Sequence, residues 1–333
     1  MNKYFLNDLN FERKDAGFKA RRDALEIISQ RKDFVVKFLP LWGGLKSRII
    51  TLPSLIKFIM SLGESDALFI NFPVARPFWQ VLFFAKKIKG FKLIPLIHDI
   101  DSLRGGTNHD IYRLAKCDML ISHNKKMSDF MSNHIQRDKI KEVKIFDYLV
   151  ENMPDVQTNS IQDKRGIIFA GNLTPEKCGF IYDKNEDLFL FGVNYKKTDN
   201  PRYIGSFDAN HPHKLITDGV FFGLIWDGDS SSTCSGDFGA YLRYNNPHKT
   251  SLYLSMGLPV FVWKEAAIAD FIVDNRIGYS IANLDEARRI VNEISNDEYD
   301  EIKINSENIA KKLKGGFYFN NAIDEVLNVI ENN

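Results

Sequence analysis

Long apolar runs are missing from this chain of 333 residues. No stretch reaches the roughly 18 consecutive apolar residues that a membrane-spanning helix needs. Cysteine is scarce: Cys117, Cys178 and Cys234 are odd in number and far apart, which makes neither a disulfide framework nor a zinc site. The first residues lack the basic, then apolar, then small-residue succession of a secretory leader, because Lys3 is soon followed by Asn7, Asp8 and Asn10. A cytoplasmic location is therefore expected. No GxGxxG follows a strand, so a nicotinamide cofactor is disfavoured. Nucleic-acid recognition motifs are absent and acids interleave with the bases, which argues against a nucleic-acid partner.

What is present is ordinary globular composition, 44% hydrophobic and 26% charged, on a chain long enough for two cores. The net charge of +1 hides an asymmetry. Residues 1–150 carry 26 Lys and Arg against 16 Asp and Glu, a surplus of ten, and the remainder carries 18 against 27, a deficit of nine. The first half is thus suited to something anionic. A run at 86–92 with four lysines, next to Phe83, Phe84 and Ile88, fits an anionic lipid surface and equally a solvated helix end.

Short apolar runs alternate with helical periodicity along the whole chain. Strands are expected at 4–6, 34–38, 67–70, 93–97, 119–121 and 143–145, with helices at 18–29, 47–62 and 77–89. The polar stretch 151–165 contains Pro154 and reads as a linker. Strands then resume at 166–170, 187–193, 203–207, 220–226, 258–263 and 278–281, and a helical tail runs from 285 with a break at Gly315-Gly316. The expected fold is α/β, two Rossmann-like, doubly wound domains in tandem without sequence repetition. Their boundaries are placed at 1–155 and 160–314, and the site in the cleft outside the carboxyl ends of the strands.

The segment 246–263, NPHKTSLYLSMGLPVFVW, is the most informative. Pro247 suits the approach to a helix, Gly257 its end, and 260–262 a buried strand. His248, Lys249, Thr250 and Ser251 place donors beside the unpaired N–H groups of the first turn, where anions and above all phosphate bind. A plain αβ unit with a polar cap has the same pattern. Gly171 and Asn172 follow the first strand of the second half, where a missing side chain lets a ligand approach the backbone. Asn194 and Tyr195 end the next strand, suited to hydrogen-bonding and stacking on a base. Asp227 and Asp229 resemble a metal-binding pair, but a hydroxyl acceptor or a turn fits their position better, and no metal site is expected.

In the first half, Asp15 lies in the polar loop 7–17 between a strand and a helix. It suits a general base or a helix cap. Asn7, Gly17 and Arg21 flank it as candidate acceptor-binding residues. His98 and Asp99 follow the strand at 93–97, with Arg104 in a glycine-containing turn. His98 suits orienting a sugar hydroxyl, Asp99 is a second candidate base, and acids that cap the next helix are the alternative.

These pieces resemble bacterial GT-B glycosyltransferases, and more closely the O-antigen β-1,6-galactofuranosyltransferases of enteric bacteria. The likeness is carried, in order, by YFLNDLNFERKDAGFKARRDAL, PLWGG, NFPVARPFW, IPLIHDIDSLRGG, CDMLISHN, KIFDYLV, FAGNL, FGLIWDGDS, NNPHKTSLYLSMGLPVF and ADFIVDNRIGYS. More distantly the chain is similar to glucosyltransferases that modify bacterial adhesins. The resemblance implies metal-independent, inverting transfer from UDP-galactofuranose to a hydroxyl of a lipid-linked oligosaccharide. It also implies peripheral contact with the inner membrane, and a last helix, about 317–333, that packs back on the first domain. A UDP-sugar epimerase on the same scaffold, a transferase for another UDP-hexose and a non-catalytic partner subunit are the rival readings.

Overall fold

The structure is a computed structural model that describes residues 1–7, 16–39, 45–74, 76–151, 161–182, 187–197 and 199–332. It divides into two compact units, one of Met1–Val143 with Tyr318–Asn333 and one of Lys144–Phe317. Asp15 lies outside the described residues.

The first unit holds a six-stranded parallel sheet in the order β2-β1-β3-β4-β5-β6. Its strands are β1 Lys3–Asn7, β2 Phe34–Phe38, β3 Ala67–Phe72, β4 Lys92–Ile97, β5 Leu120–Ser122 and β6 Ile140–Glu142. The central strand β3, ALFINF, is buried throughout, as a parallel strand covered on both faces must be. Helices α1 Ala16–Ser29, α2 Leu45–Met60, α3 Arg76–Lys89, α4 His109–Leu114 and α5 Lys125–Met131 connect the strands. β6 differs from expectation. Residues 140–142 pair with Leu120–Ser122, and Lys144 at φ 67 turns the chain where the sequence suggests a strand at 143–145.

The second unit has strand order β12-β11-β10-β7-β8-β9, also parallel throughout. Its strands are β7 Arg165–Asn172, β8 Phe189–Val193, β9 Tyr203–Gly205, β10 Val220–Ile225, β11 Val260–Trp263 and β12 Gly278–Ile281. Its helices are α6 Pro175–Cys178, α7 Gly236–Tyr241, α8 His248–Ser255, α9 Ala269–Asp274, α10 Leu284–Glu293 and α11 Asn296–Lys314, and α12 Phe317–Glu331 closes the chain.

Residues 144–149 belong to the second unit, ahead of the stretch that reads as a linker. Asn246 Nδ2 donates to Lys144 O at 2.9 Å, Ser251 Oγ to Phe146 O at 2.6 Å, and Tyr148 OH to Ala209 O at 2.7 Å. From Tyr318 onward, α12 belongs to the first unit. Asp324 lies 2.8 Å from Arg31 and Glu331 lies 3.3 Å from Lys3.

Both sheets reverse direction of growth once. In the first unit the switch falls between β1 and β3, and in the second between β7 and β10. Open α/β sheets bind ligands outside the carboxyl ends of the strands at such a switch point.

Candidate active site

In the second unit, α8 sits over that switch point, and Tyr253 fixes it there. Its ring lies where a Cβ on Gly223 of β10 would stand, 2.3 Å from the ring atoms. Its hydroxyl accepts a 2.7 Å hydrogen bond from Ala170 N of β7. Gly257 at φ 68 ends the helix, and Leu258 N closes back on Tyr253 O at 3.1 Å. At the other end Pro247 makes no side-chain cap hydrogen bond, and Thr250 N closes the first turn on Pro247 O at 2.9 Å. Such an end carries roughly half a positive charge.

Lys249 extends this helix end over β7 and β10. Its Nζ donates to Trp226 O at 3.0 Å and to Asp227 Oδ1 at 2.7 Å, and lies 4.5 Å from the centre of the Phe169 ring. The side chains of Lys249 and Asp227 are only 9% and 8% exposed. Burial pulls the Lys249 ammonium below the usual lysine range, against the attraction of Asp227, and nearby Lys177 adds to the depression. Two of the three ammonium donors are thus committed, and the cation is held in one place.

Asp227 Oδ1 receives the Lys249 ammonium. Asp229 bonds the Ser235 hydroxyl, so the two acids of this turn serve different partners. Ser251 also has a partner within the protein. It is buried and spends its hydroxyl on Phe146 O, anchoring the helix rather than facing a ligand. His248 packs its ring against Tyr148, 5.0 Å between centres, and Phe146, 6.2 Å. Thr250 is fully buried, and its Oγ1 has no hydrogen-bond partner among the described residues.

Gly171 and Gly192 face one another in register at the carboxyl ends of β7 and β8. A Cβ on Gly192 would come within 1.9 Å of Gly171 O, whereas one on Gly171 would meet nothing within 4 Å. Gly171, at φ 138, therefore leaves bare backbone beside open space. Asn194, in the left-handed region at φ 65, donates from Nδ2 to Asn172 Oδ1 at 3.0 Å. Tyr195 does not offer the open ring that base stacking needs. It is buried between Tyr182 and Tyr203, 5.3 and 5.0 Å away, and its hydroxyl accepts from Asn200 Nδ2 at 3.0 Å.

The first unit gathers polar residues at the same edge of its sheet. Asn7 ends β1, Asn71 lies near the end of β3, His98 follows β4 and His123 follows β5. His98 Nε2 pairs with Asn71 Oδ1 at 2.8 Å, and His123 Nε2 with Ile97 O at 3.1 Å. Burial drives the His123 pKa down to about 3, so it is neutral at physiological pH and donates from Nε2. Arg21 donates to Pro73 O at 2.9 Å, beside the β1/β3 switch point, and Gly17 lies in the first turn of α1. Asp99 and Arg104 form a half-exposed ion pair at 2.5 Å.

Asn71, His123, Phe169 and Lys177 were not singled out from the sequence. A usable signal existed for two of them: Asn71 and His123 are polar residues at the carboxyl ends of apolar runs, ALFIN and LIS-H. Among the described residues, no cluster of three or more His, Cys, Asp or Glu is placed to hold a metal. Nor, among the described residues, is any helix long and apolar enough to cross a membrane.

Two parallel doubly wound sheets, each with its polar residues at the carboxyl edge, define the GT-B class of glycosyltransferase fold. The chain superposes on the Anabaena protein HepE, crystallised in complex with UDP, with a TM-score of 0.58 at 14% identity, covering 99% of this chain and 100% of that one. The chain belongs to the glucosyltransferase 3-like family of glycosyltransferases, residues 3–145 matching its N-terminal domain and 167–326 its C-terminal domain. It is 54% identical over 325 residues to the β-1,6-galactofuranosyltransferase WbbI of Escherichia coli, covering 97% of this chain and 98% of that protein. It is 25% identical over 283 residues to glucosyltransferase 3 of Streptococcus gordonii, covering 81% and 82%.

Proposed function

We propose that the protein transfers galactofuranose from UDP-galactofuranose, with inversion and without a metal, to a hydroxyl of a lipid-linked O-antigen intermediate, O6 of a hexose being the first candidate. The second unit (about 160–314) takes the donor and the first (about 1–155, with the last helix) the acceptor, at the inner face of the plasma membrane. The observation that carries this reading is the convergence of Lys249, an uncapped helix end and bare Gly171 backbone at one switch point. The furanose specificity is supported by the extent of identity with the Escherichia coli enzyme.

The departing UDP develops negative charge, which donors placed in advance stabilise without reorganisation. The third N–H of Lys249 and the positive end of α8 serve the diphosphate, and Asp227 holds the ammonium in position. Asn172 and Asn194 line the same edge for the nucleoside and sugar. Inversion needs one base to take the acceptor proton. Asp15 fills that role, with Asp99 second because Arg104 already occupies its carboxylate. Asn7, Arg21 and His98 position the acceptor.

The test is incubation with a panel of UDP-sugars and a hexose-terminated acceptor, with products identified by NMR. A β-linked galactofuranoside from UDP-galactofuranose is expected. Preferential use of UDP-glucose would assign another UDP-hexose transferase, interconversion of the sugar without acceptor an epimerase, and absence of UDP binding a non-catalytic partner.

A further inference from the structure

The large exposed apolar side chains are unevenly distributed. Among the described residues of the second unit they stand singly on separate elements: Val193 on β8, Phe238 on α7, Val273 on α9, Ile304 on α11 and Phe317 at the start of α12. In the first unit Met1, then Val35 and Phe38 on β2, and Tyr112 on α4 stand apart, and the other five gather on two neighbouring helices. Ile50, Ile56 and Met60 project from α2, and Phe84 and Ile88 from α3, with Ile50 76% and Phe84 70% exposed.

The topology places these side chains on one surface. The chain passes from β2 across to β3 through α2 and from β3 to β4 through α3, both in the same direction along the sheet. Right-handed crossovers put both helices on the same face, and α2 and α3 do pack against each other. Each turns one stripe inward: Thr51, Leu55 and Ile59 on α2, and Phe78, Leu82 and Ala85 on α3. Gln80, Phe84 and Ile88 follow the 3.6-residue period on the opposite stripe of α3, with Lys87 beside them.

Charge separates this surface from an ordinary protein contact. Neither α2 nor α3 contains an Asp or a Glu, while together they contain seven Lys and Arg. Lys86 is answered by Asp118 at 3.2 Å, but Lys57 and Lys87 are exposed beside the apolar residues. Protein interfaces are depleted of lysine, whereas apolar side chains ringed by lysine on a helix face are the mark of an interfacial membrane contact. We propose that the outer face of α2 and α3 docks on an anionic lipid bilayer, with Phe84 and Ile88 entering the headgroup region and Lys57 and Lys87 meeting lipid charge. This gives the proposed membrane-borne acceptor a surface. Its evidence and its vesicle-binding readout need neither donor nor acceptor, so either reading can fail alone.

The test is co-sedimentation of the full chain with vesicles of phosphatidylcholine alone or mixed with phosphatidylglycerol. Binding to the anionic vesicles is expected to exceed that to the neutral ones by about tenfold or more and to weaken with salt. Phe84→Glu with Ile88→Glu, and separately Lys57→Glu with Lys87→Glu, should each lose about tenfold or more while circular dichroism and turnover on a water-soluble acceptor stay unchanged. Wild-type protein that ignores both vesicles, or variants that bind as wild type does, would overturn the proposal. So would a dimer in solution that the same substitutions dissociate, since the face would then belong to a second copy.

Discussion

The two sheets present their carboxyl edges in different chemical languages. In the second unit the edge is built around a buried ion pair, Lys249 with Asp227, lying on an aromatic ring and prolonging a helix end. In the first unit the corresponding edge joins His98 to Asn71 and His123 to a backbone carbonyl, its Asp99–Arg104 pair is half exposed, and a buried Lys19–Asp23 pair lies within α1. A charged, desolvated edge suits a ligand that gains negative charge during reaction. An edge of hydrogen-bonded polar side chains suits one that is read through its hydroxyl groups. The difference supports the proposal that the second unit takes the leaving group and the first the incoming sugar.

Four substitutions break or sharpen that contrast. Asp15→Asn should lower turnover by about three orders of magnitude with UDP affinity unchanged, as calorimetry would show. If Asp99→Asn does this and Asp15→Asn does not, the base is on the other loop. Lys249→Ala should reduce kcat by about two orders of magnitude. It should also destabilise the fold by about 3–5 kcal/mol, because Asp227 is left charged and buried. Adding Asp227→Ala should restore much of the melting temperature and none of the activity. A single variant that melts as wild type does would show that the pair is not buried as described.

His123 at this edge predicts an acid sensitivity of defined sign. His123 takes up a proton near pH 6.5 when unfolded but only near pH 3 when folded. The unfolded chain therefore binds more protons between these values, and stability falls as the pH is lowered through that window, by up to about 1.4 kcal/mol per unit. His123→Asn should flatten the slope of unfolding free energy against pH between 6 and 4 (an interval of about two units). An unchanged slope would move the acid sensitivity to another group. The smallest effect is expected of Tyr195→Phe, which removes only the hydrogen bond from Asn200 and should cost about 1 kcal/mol with nearly full donor affinity. A large loss of donor affinity would return Tyr195 to the ligand.

The succession of strands along the chain, the placing of Lys249 at a helix start and the gathering of His98 and Asp99 at a strand end were all legible in periodicity and turn chemistry. Roles decided by distant packing were not. Ser251 reads as a ligand donor because it is polar and near a helix start, yet its acceptor, Phe146 O, comes from 105 positions away. Tyr195 reads as a stacking platform because nothing local announces that Tyr182 and Tyr203 will enclose it. The same limit hid the partnership of Asp227 with Lys249, which exists only because β10 and α8 are neighbours. The division at Val143/Lys144 escaped because three long-range hydrogen bonds draw 144–149 to the later residues. Polarity and the internal Pro154 point instead to 151–165.

The phenol of Tyr253 acts as a gauge block between helix and sheet. Since its ring fills the room vacated by the absent side chain of Gly223, the clearance beneath α8 is one aromatic thickness, and a bulkier residue at 223 would lift the whole helix. Any such lift would carry the Lys249 amine away from its counter-ion, so a substitution at position 223 should register first as weakened catalysis and only afterwards as lost folding. Tyr253→Phe would keep the clearance and surrender the latch to Ala170, which separates height from anchorage in one experiment.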